Sequence, residues 1–365
     1  MRSPLYQIES EDDAKVYHFY FIAKYPVIWT KSIQILSQMK VIYCLALTSA
    51  LLFSCGGERG KNAESDKPLR VVNVPRFSGD SAFYFVEQQV KFGPRIPNSA
   101  AHRKAGDYLV SQFRKYGAKV NVQEFEATTF DNQRLKLRNI IAVFNPDKQK
   151  RILLAAHWDT RPFADKDSTR SNAPFDGAND GASGVGVLLE MARQLGKTPT
   201  SAGVDIVLFD GEDWGEKDGT AKVPPADGLL DWWCLGSQYW AKNKGNYTAY
   251  YGILFDMVGA KGSRFFREGT SQEYAPKIVD KVWNTAERLG FSSYFVKQNE
   301  GGIDDDHLYI NKIAKIPTID IVHFQPGVGY FGDYHHSRRD NMKIISKETL
   351  GVVGDVVMNV VYYEE

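Results

Sequence analysis

Several stretches of this chain are apolar without any period. "NIIAVFN" (139–145), "RILLAAHWD" (151–159), "VDIVLFDGED" (204–213), "YGILFDMVG" (251–259) and "PTIDIVHF" (317–324) each hold a short continuous apolar core. Runs of this length, rich in Val, Ile and Leu, predict strands buried on both faces. "KVNVQEFEA" (119–127) alternates instead, as a strand with one wet face does. Between the strands the pattern turns helical. Apolar residues recur at helical spacing in 80–93, 101–117, 181–196 and 274–290. A last helix closes the chain over 346–364, with Ser346 as its N-cap. Strands alternating with helices predict one α/β domain. Its sheet is expected to be largely parallel and covered by helices on both faces.

The N-terminal quarter follows a different pattern. Met39 and Lys40 precede an apolar run from Val41 to Phe53, then Ser54 and Cys55. A positive start and a short apolar core before a small residue describe a secretory signal. "LFSC" (52–55) resembles the lipobox of bacterial lipoproteins, which implies lipidation of Cys55. Residues 1–38 fit neither signal nor domain and are read as an upstream extension ahead of a start at Met39. Residues 56–75 are a polar tether, and the catalytic domain is expected over 76–365. The implied location is outside the cytoplasm, with the protein held to a membrane by its lipid alone and facing the periplasm or cell surface.

Charge narrows the partners. The 365 residues carry 45 Lys and Arg against 44 Asp and Glu, with no long basic run, so nucleic acid is not an expected partner. Of three cysteines only Cys234 falls within the domain. That leaves no disulfide framework, and its Trp and Leu neighbours predict a buried thiol.

The chemistry collects where the apolar runs end. One run ends in His157-Trp158-Asp159, another in Asp210-Gly211-Glu212-Asp213, a third in Asp256. Asp180 lies in "DGANDGASG" before a helix, and His336 in "YHHSRRDN" before the last helix. Sites in such sheets form beyond the carboxyl ends of strands. Carboxylates and imidazoles converging there, with no Ser or Cys at a nucleophile elbow, predict a zinc site. The adjacent Glu212 and Asp213 would repel each other unless one ligates the metal and the other handles a proton.

The motifs "HWD", "GANDGASG", "DGED", "LFDMVG" and "HHSRRDN", in that order, resemble the co-catalytic zinc aminopeptidase superfamily. Within it, "GGIDDDH" (301–307) and the Trp-rich insertion after Glu212 resemble the type II glutaminyl cyclases of bacteria. The resemblance implies a mixed, mostly parallel twisted sheet flanked by helices, with Asp180, Asp213 and His336 as ligands of one zinc, a second ion not being excluded. It implies Glu212 as general base and acid, with Asp256 and Asp305 in a supporting hydrogen-bond network. His336 is selected over His335 by counting back from Asp340-Asn341, although the family usually has Trp-His-Thr where this chain has His-His-Ser. Asp305 is selected among Asp304–Asp306 because it lies two before His307.

The implied activity is cyclisation of an N-terminal glutamine to pyroglutamate with loss of ammonia. The substrates would be peptides or proteins with N-terminal Gln, and the enzyme a monomer. The rival is a zinc aminopeptidase, for which His157 and Asp256 are the residue types of a second metal bridged by Asp180. A non-catalytic lipoprotein retaining the fold is the third reading. Trp214, Trp232 and Trp233 are candidate walls of an apolar pocket for the glutamine side chain.

Overall fold

The structure, a computed structural model, describes residues 72–364 except 218–224 and 226–227. The expected signal with Cys55, the upstream 1–38 and all but the end of the tether lie outside the described residues. Among the described residues no helix is long and apolar enough to cross a membrane.

Eight strands matter to the site: β1 (Lys119–Thr128), β2 (Arg134–Phe144), β3 (Arg151–His157), β4 (Gly203–Phe209), β5 (Tyr251–Asp256), β6 (Phe265–Arg267), β7 (Phe295–Asn299) and β8 (Thr318–Val322). Six of them form one sheet in the order β1-β2-β4-β3-β5-β8. β2 runs antiparallel to β1 and β4, while β4, β3, β5 and β8 are parallel neighbours. The sheet is therefore mostly parallel, as the alternation of elements predicts, and mixed in the way the aminopeptidase-like resemblance implies. β6 and β7 pair separately.

The aperiodic apolar runs have a direct cause. Ile152, Leu154 and Ala156 of β3, with Val204, Ile206 and Leu208 of β4, face one large core. Helices Gly79–Val90, Ala100–Lys115, Ala182–Leu195, Pro276–Arg288 and Lys347–Tyr362 contribute to that core. The alternate residues Leu153, Ala155, Val207, Phe209 and Leu254 face a second core with Trp240 and Ala241 of helix Leu235–Asn243. With both faces covered, apolar residues fill successive positions along these strands, and the exceptions are few, such as Asp205 in β4, which pairs with Arg151. Helix Ala182–Leu195 lies so close that a Cβ on Gly184 would sit 2.3 Å from the Phe255 carbonyl oxygen. Ser346 caps the last helix, accepting from Thr349 N–H.

Some boundaries differ from expectation. β2 begins at Arg134 rather than 139, because Arg134–Arg138 pair with Glu124–Thr128 of β1. The 204–213 run leaves the sheet after Phe209, and 251–259 after Asp256, which frees the following acids for turns. The expected 274–290 helix opens at Pro276, with a separate helix Gly269–Tyr274 before it. Proline is accepted at a helix start and disfavours helical geometry at the residue before it, here Ala275.

Candidate metal centre

Because β3, β4, β5 and β8 are parallel, their carboxyl ends share one rim. There β3 ends in His157, β5 ends in Asp256 and β4 leads into Asp210–Asp213.

The turn after β4 answers how two adjacent carboxylates coexist. Gly211 takes φ +72°, and a Cβ there would stand 2.8 Å from Leu137 Cδ1, so the bend requires glycine. Asp159 then accepts from the Glu212 N–H at 3.1 Å and the Asp213 N–H at 3.3 Å. The two side chains part. Asp213 Oδ2 accepts from Arg161 N–H at 2.9 Å, and Asp213 Oδ1 lies 3.0 Å from His336 Nε2. Glu212 Oε1 accepts from the Cys234 thiol at 3.3 Å, and Oε2 stands 3.8 Å from His157 Nδ1.

Asp180 is placed from the opposite side. Asp340 accepts from Asn179 N–H at 2.7 Å and from Asp180 N–H at 3.1 Å. Asn179 Oδ1 in turn accepts from Gly259 N–H at 2.7 Å. Asp180 Oδ2 lies 3.6 Å from His336 Nε2 and 3.8 Å from His335 Nε2, while Oδ1 lies 3.0 Å from His157 Nε2. Of the two histidines, His336 thus faces Asp213 as well as Asp180. Its Nδ1 is 3.3 Å from Asp165 Oδ1, whereas His335 Nδ1 is 2.8 Å from Lys166 Nζ.

The donor set fits a zinc ion. Asp180 Oδ2 and Asp213 Oδ1 are buried and have no hydrogen-bond donor. Two anionic oxygens left open around one imidazole nitrogen are what a divalent cation satisfies. A second group, His157, Asp180 and Asp256, brings one ligand atom from each within 4.8 Å of the others. Asp256 Oδ1 is 3.4 Å from His157 Nε2.

Burial sets the electrostatics. It pushes the Glu212 carboxyl well above its ordinary range; His157 opposes this, while Asp213 and Asp305 add to it. Burial likewise raises Asp256 to about 7. Burial also acts to raise Asp180, but hydrogen bonding and charge from His157 outweigh it and hold that carboxyl low. Asp305 approaches Glu212 and Cys234 within 4.8 Å and, beyond them, His307 and Asp320.

The structure therefore brings Asp180, Asp213, His336, Glu212, Asp256 and Asp305 to one rim. Of the three candidate tryptophans, Trp233 is there. Its ring is parallel to His336 at 5.9 Å between centroids, and the Arg161 guanidinium lies 4.6 Å from it. Trp214 instead packs against the cluster of Phe125, Leu135 and Leu137. Asp165, Arg161 and the placing role of Asp159 were not foreseen. Asp159 and Asp340 sat inside recognised motifs, but nothing in their spacing says which N–H groups they accept from. Cys234 is fully buried, as its neighbours predict, but its contact with Glu212 has no sequence signal.

Similarities to known proteins follow the same site. The aminopeptidase YwaD of Bacillus subtilis is 26% identical over 322 residues, covering 84% of this chain and 59% of its own length. The chain thus spans less than two thirds of that curated relative. A zinc-dependent exopeptidase from Parabacteroides distasonis superposes with a TM-score of 0.76 at 47% identity, covering 80% of this chain and 100% of its own. A glutaminyl cyclase from Bacteroides thetaiotaomicron, solved with N-acetylhistamine, gives a TM-score of 0.76 at 45% identity with the same coverage. The model of peptidase family M28 matches residues 139–361, more than half of the sequence and all of the strand ends described above, and the chain belongs to that family.

Proposed function

We propose that this protein is a zinc-dependent glutaminyl-peptide cyclotransferase, turning the N-terminal glutamine of peptides or proteins into pyroglutamate and ammonia. The observation that carries the reading is the divergence of the adjacent acids: Asp213 turns to His336 while Glu212 turns to Cys234 and His157. One acid is free for proton work beside a set of ligands. The likeness to the Bacteroides thetaiotaomicron cyclase over its whole length supports the choice of reaction.

Asp180, Asp213 and His336 would hold the ion. Bound there, zinc acts as a Lewis acid on the side-chain amide carbonyl. In the reaction the α-amino nitrogen forms a bond to the side-chain amide carbon, and the bond from that carbon to the amide nitrogen breaks. Glu212 takes the proton that the amine loses and returns it to the departing nitrogen, which leaves as ammonia. Its raised affinity for a proton suits both halves of that transfer. Tethering of amine and amide in one residue supplies much of the proximity. Asp305 beside Glu212 and Asp256 beside His157 would steady the reacting groups.

The second reading is hydrolysis by an aminopeptidase, favoured by the convergence of His157, Asp180 and Asp256. Two substrates given to the purified protein separate them. Pyroglutamate and ammonia from a glutaminyl peptide amide support cyclisation. Free leucine from a leucyl amide, without pyroglutamate from the first, overturns it. Metal analysis of the same preparation is expected to give about one zinc per chain.

The proposal extends to location: an exported lipoprotein anchored through Cys55. Incorporation of a labelled fatty acid that Cys55→Ala abolishes supports it, and unchanged labelling in that variant overturns it.

A further inference from the structure

We infer that Cys234 is a positioning residue for the proton-carrying carboxylate of Glu212, an assignment that rests on the role proposed for Glu212. Cys234 is fully buried, in the left-handed conformation at φ 55°, immediately before helix Leu235–Asn243. This placement lets one residue hold Glu212 at both ends. The Cys234 N–H donates to the Glu212 carbonyl at 2.9 Å, and the thiol donates to Glu212 Oε1 at 3.3 Å. Leu235 N–H extends the pairing to the Gly211 carbonyl at 3.1 Å.

Cys234 itself is fixed from behind. Its carbonyl accepts from Ser237 Oγ at 3.2 Å and Gln238 N–H at 3.1 Å. Gln238 Nε2 also donates to the Trp233 carbonyl at 2.7 Å. The thiol therefore approaches Glu212 from a backbone with little freedom. Burial, with the Glu212 and Asp306 charges, keeps the thiol protonated, so toward a carboxylate it acts as donor. With Oε1 tied to sulfur, Oε2 is the oxygen left on the side of His157. A carboxylate that swings would meet the amine proton in fewer of its orientations, and turnover would fall with no change in zinc binding.

The competing explanation is packing. Cys234 sits in a small apolar cluster with Leu308 and Tyr309, where a thiol fills space as a small hydrophobe. Serine and alanine separate the two. Both accept a positive φ about as cysteine does, both are smaller, and only serine keeps a donor. A β-branched replacement would confound the result, because it is strained in this conformation.

The test uses the full chain with its zinc. Wild type, Cys234→Ser and Cys234→Ala are compared for kcat and KM on a glutaminyl peptide amide, for bound zinc and for Tm. Cys234→Ala is expected to lose kcat by roughly 5–10-fold with KM and zinc content near wild type, whereas Cys234→Ser stays within about twofold. The proposal is overturned if Cys234→Ala keeps wild-type kcat. It is equally overturned if Ser and Ala lose the same kcat alongside the same Tm, the mark of packing. Should wild type cleave the leucyl amide rather than cyclise, the reading above fails. The same comparison on that hydrolysis still decides the role of Cys234, since its thiol holds the Glu212 carboxylate in either case.

Discussion

Asp165 Oδ1 lies 3.3 Å from Nδ1 of His336, and this contact turns the other ring nitrogen, Nε2, toward Asp180 and Asp213. Burial acts to raise the Asp165 carboxyl, but His336 and Arg161 outweigh it and keep it ionised. A carboxylate behind a ligating imidazole fixes its tautomer and raises its basicity. Asp165→Asn is therefore expected to weaken zinc binding by roughly 10–100-fold. Competition with a chelator measures this. Unaltered affinity would show that His336 needs no such support.

Glu212 and Asp213 should fail differently. Glu212→Gln keeps shape and removes the proposed base, so zinc content should stay near normal while turnover falls by about 10²-fold or more. Asp213→Asn removes a proposed anionic ligand, so zinc should be lost first and activity with it. Added zinc should restore part of the Asp213→Asn activity and none of the Glu212→Gln activity. Identical behaviour in both variants would contradict the division of roles read from their divergent contacts.

The paired histidines give a third expectation. His336 faces Asp213 and Asp180, while His335 nears Asp180 and turns Nδ1 to Lys166. His336→Ala should lose the zinc, and His335→Ala should keep most of it. Metal analysis after dialysis reads the difference, and the opposite pattern would assign the ligand to His335.

Asp320 supplies a pH dependence. It is fully buried in β8, beside Asp305 and His307, and neither carboxyl oxygen has a hydrogen-bond donor. Burial pushes its carboxyl well above the ordinary range, and the charges of Asp305 and Asp256 add to the shift. Above an unfolded value of about 3.9, the folded chain keeps a proton that the unfolded chain releases. That linkage lowers stability as pH rises, by up to about 1.4 kcal/mol per pH unit. Asp320→Asn cannot ionise, so its Tm should climb relative to wild type from pH 4 to pH 8. An offset independent of pH would mean that Asp320 is charged in the native protein.

Much of this protein was legible along the chain. An apolar run without a period marks a strand covered on both sides, and that inference needs only local sequence. β3, β4, β5 and β8 all obey it, and the closing helix was read separately, from helical spacing and the Ser346 cap. The sequence also placed acids and imidazoles at the ends of those strands. Parallel pairing then put the ends on one rim, so the membership of the site followed from topology.

Direction did not follow. In an irregular turn a side chain points where hydrogen bonds to the backbone send it, and those partners are distant in sequence. Asp159 is 53 residues before Glu212, and Asp340 is 160 residues after Asp180. No local pattern records such a pairing, because each partner is an ordinary polar residue until the chain closes. The residue types that can bind a metal were therefore determined by sequence alone. Tertiary structure decided which oxygen faces which nitrogen, why His336 meets Asp213 where His335 meets Lys166, and why Glu212 rests against a thiol.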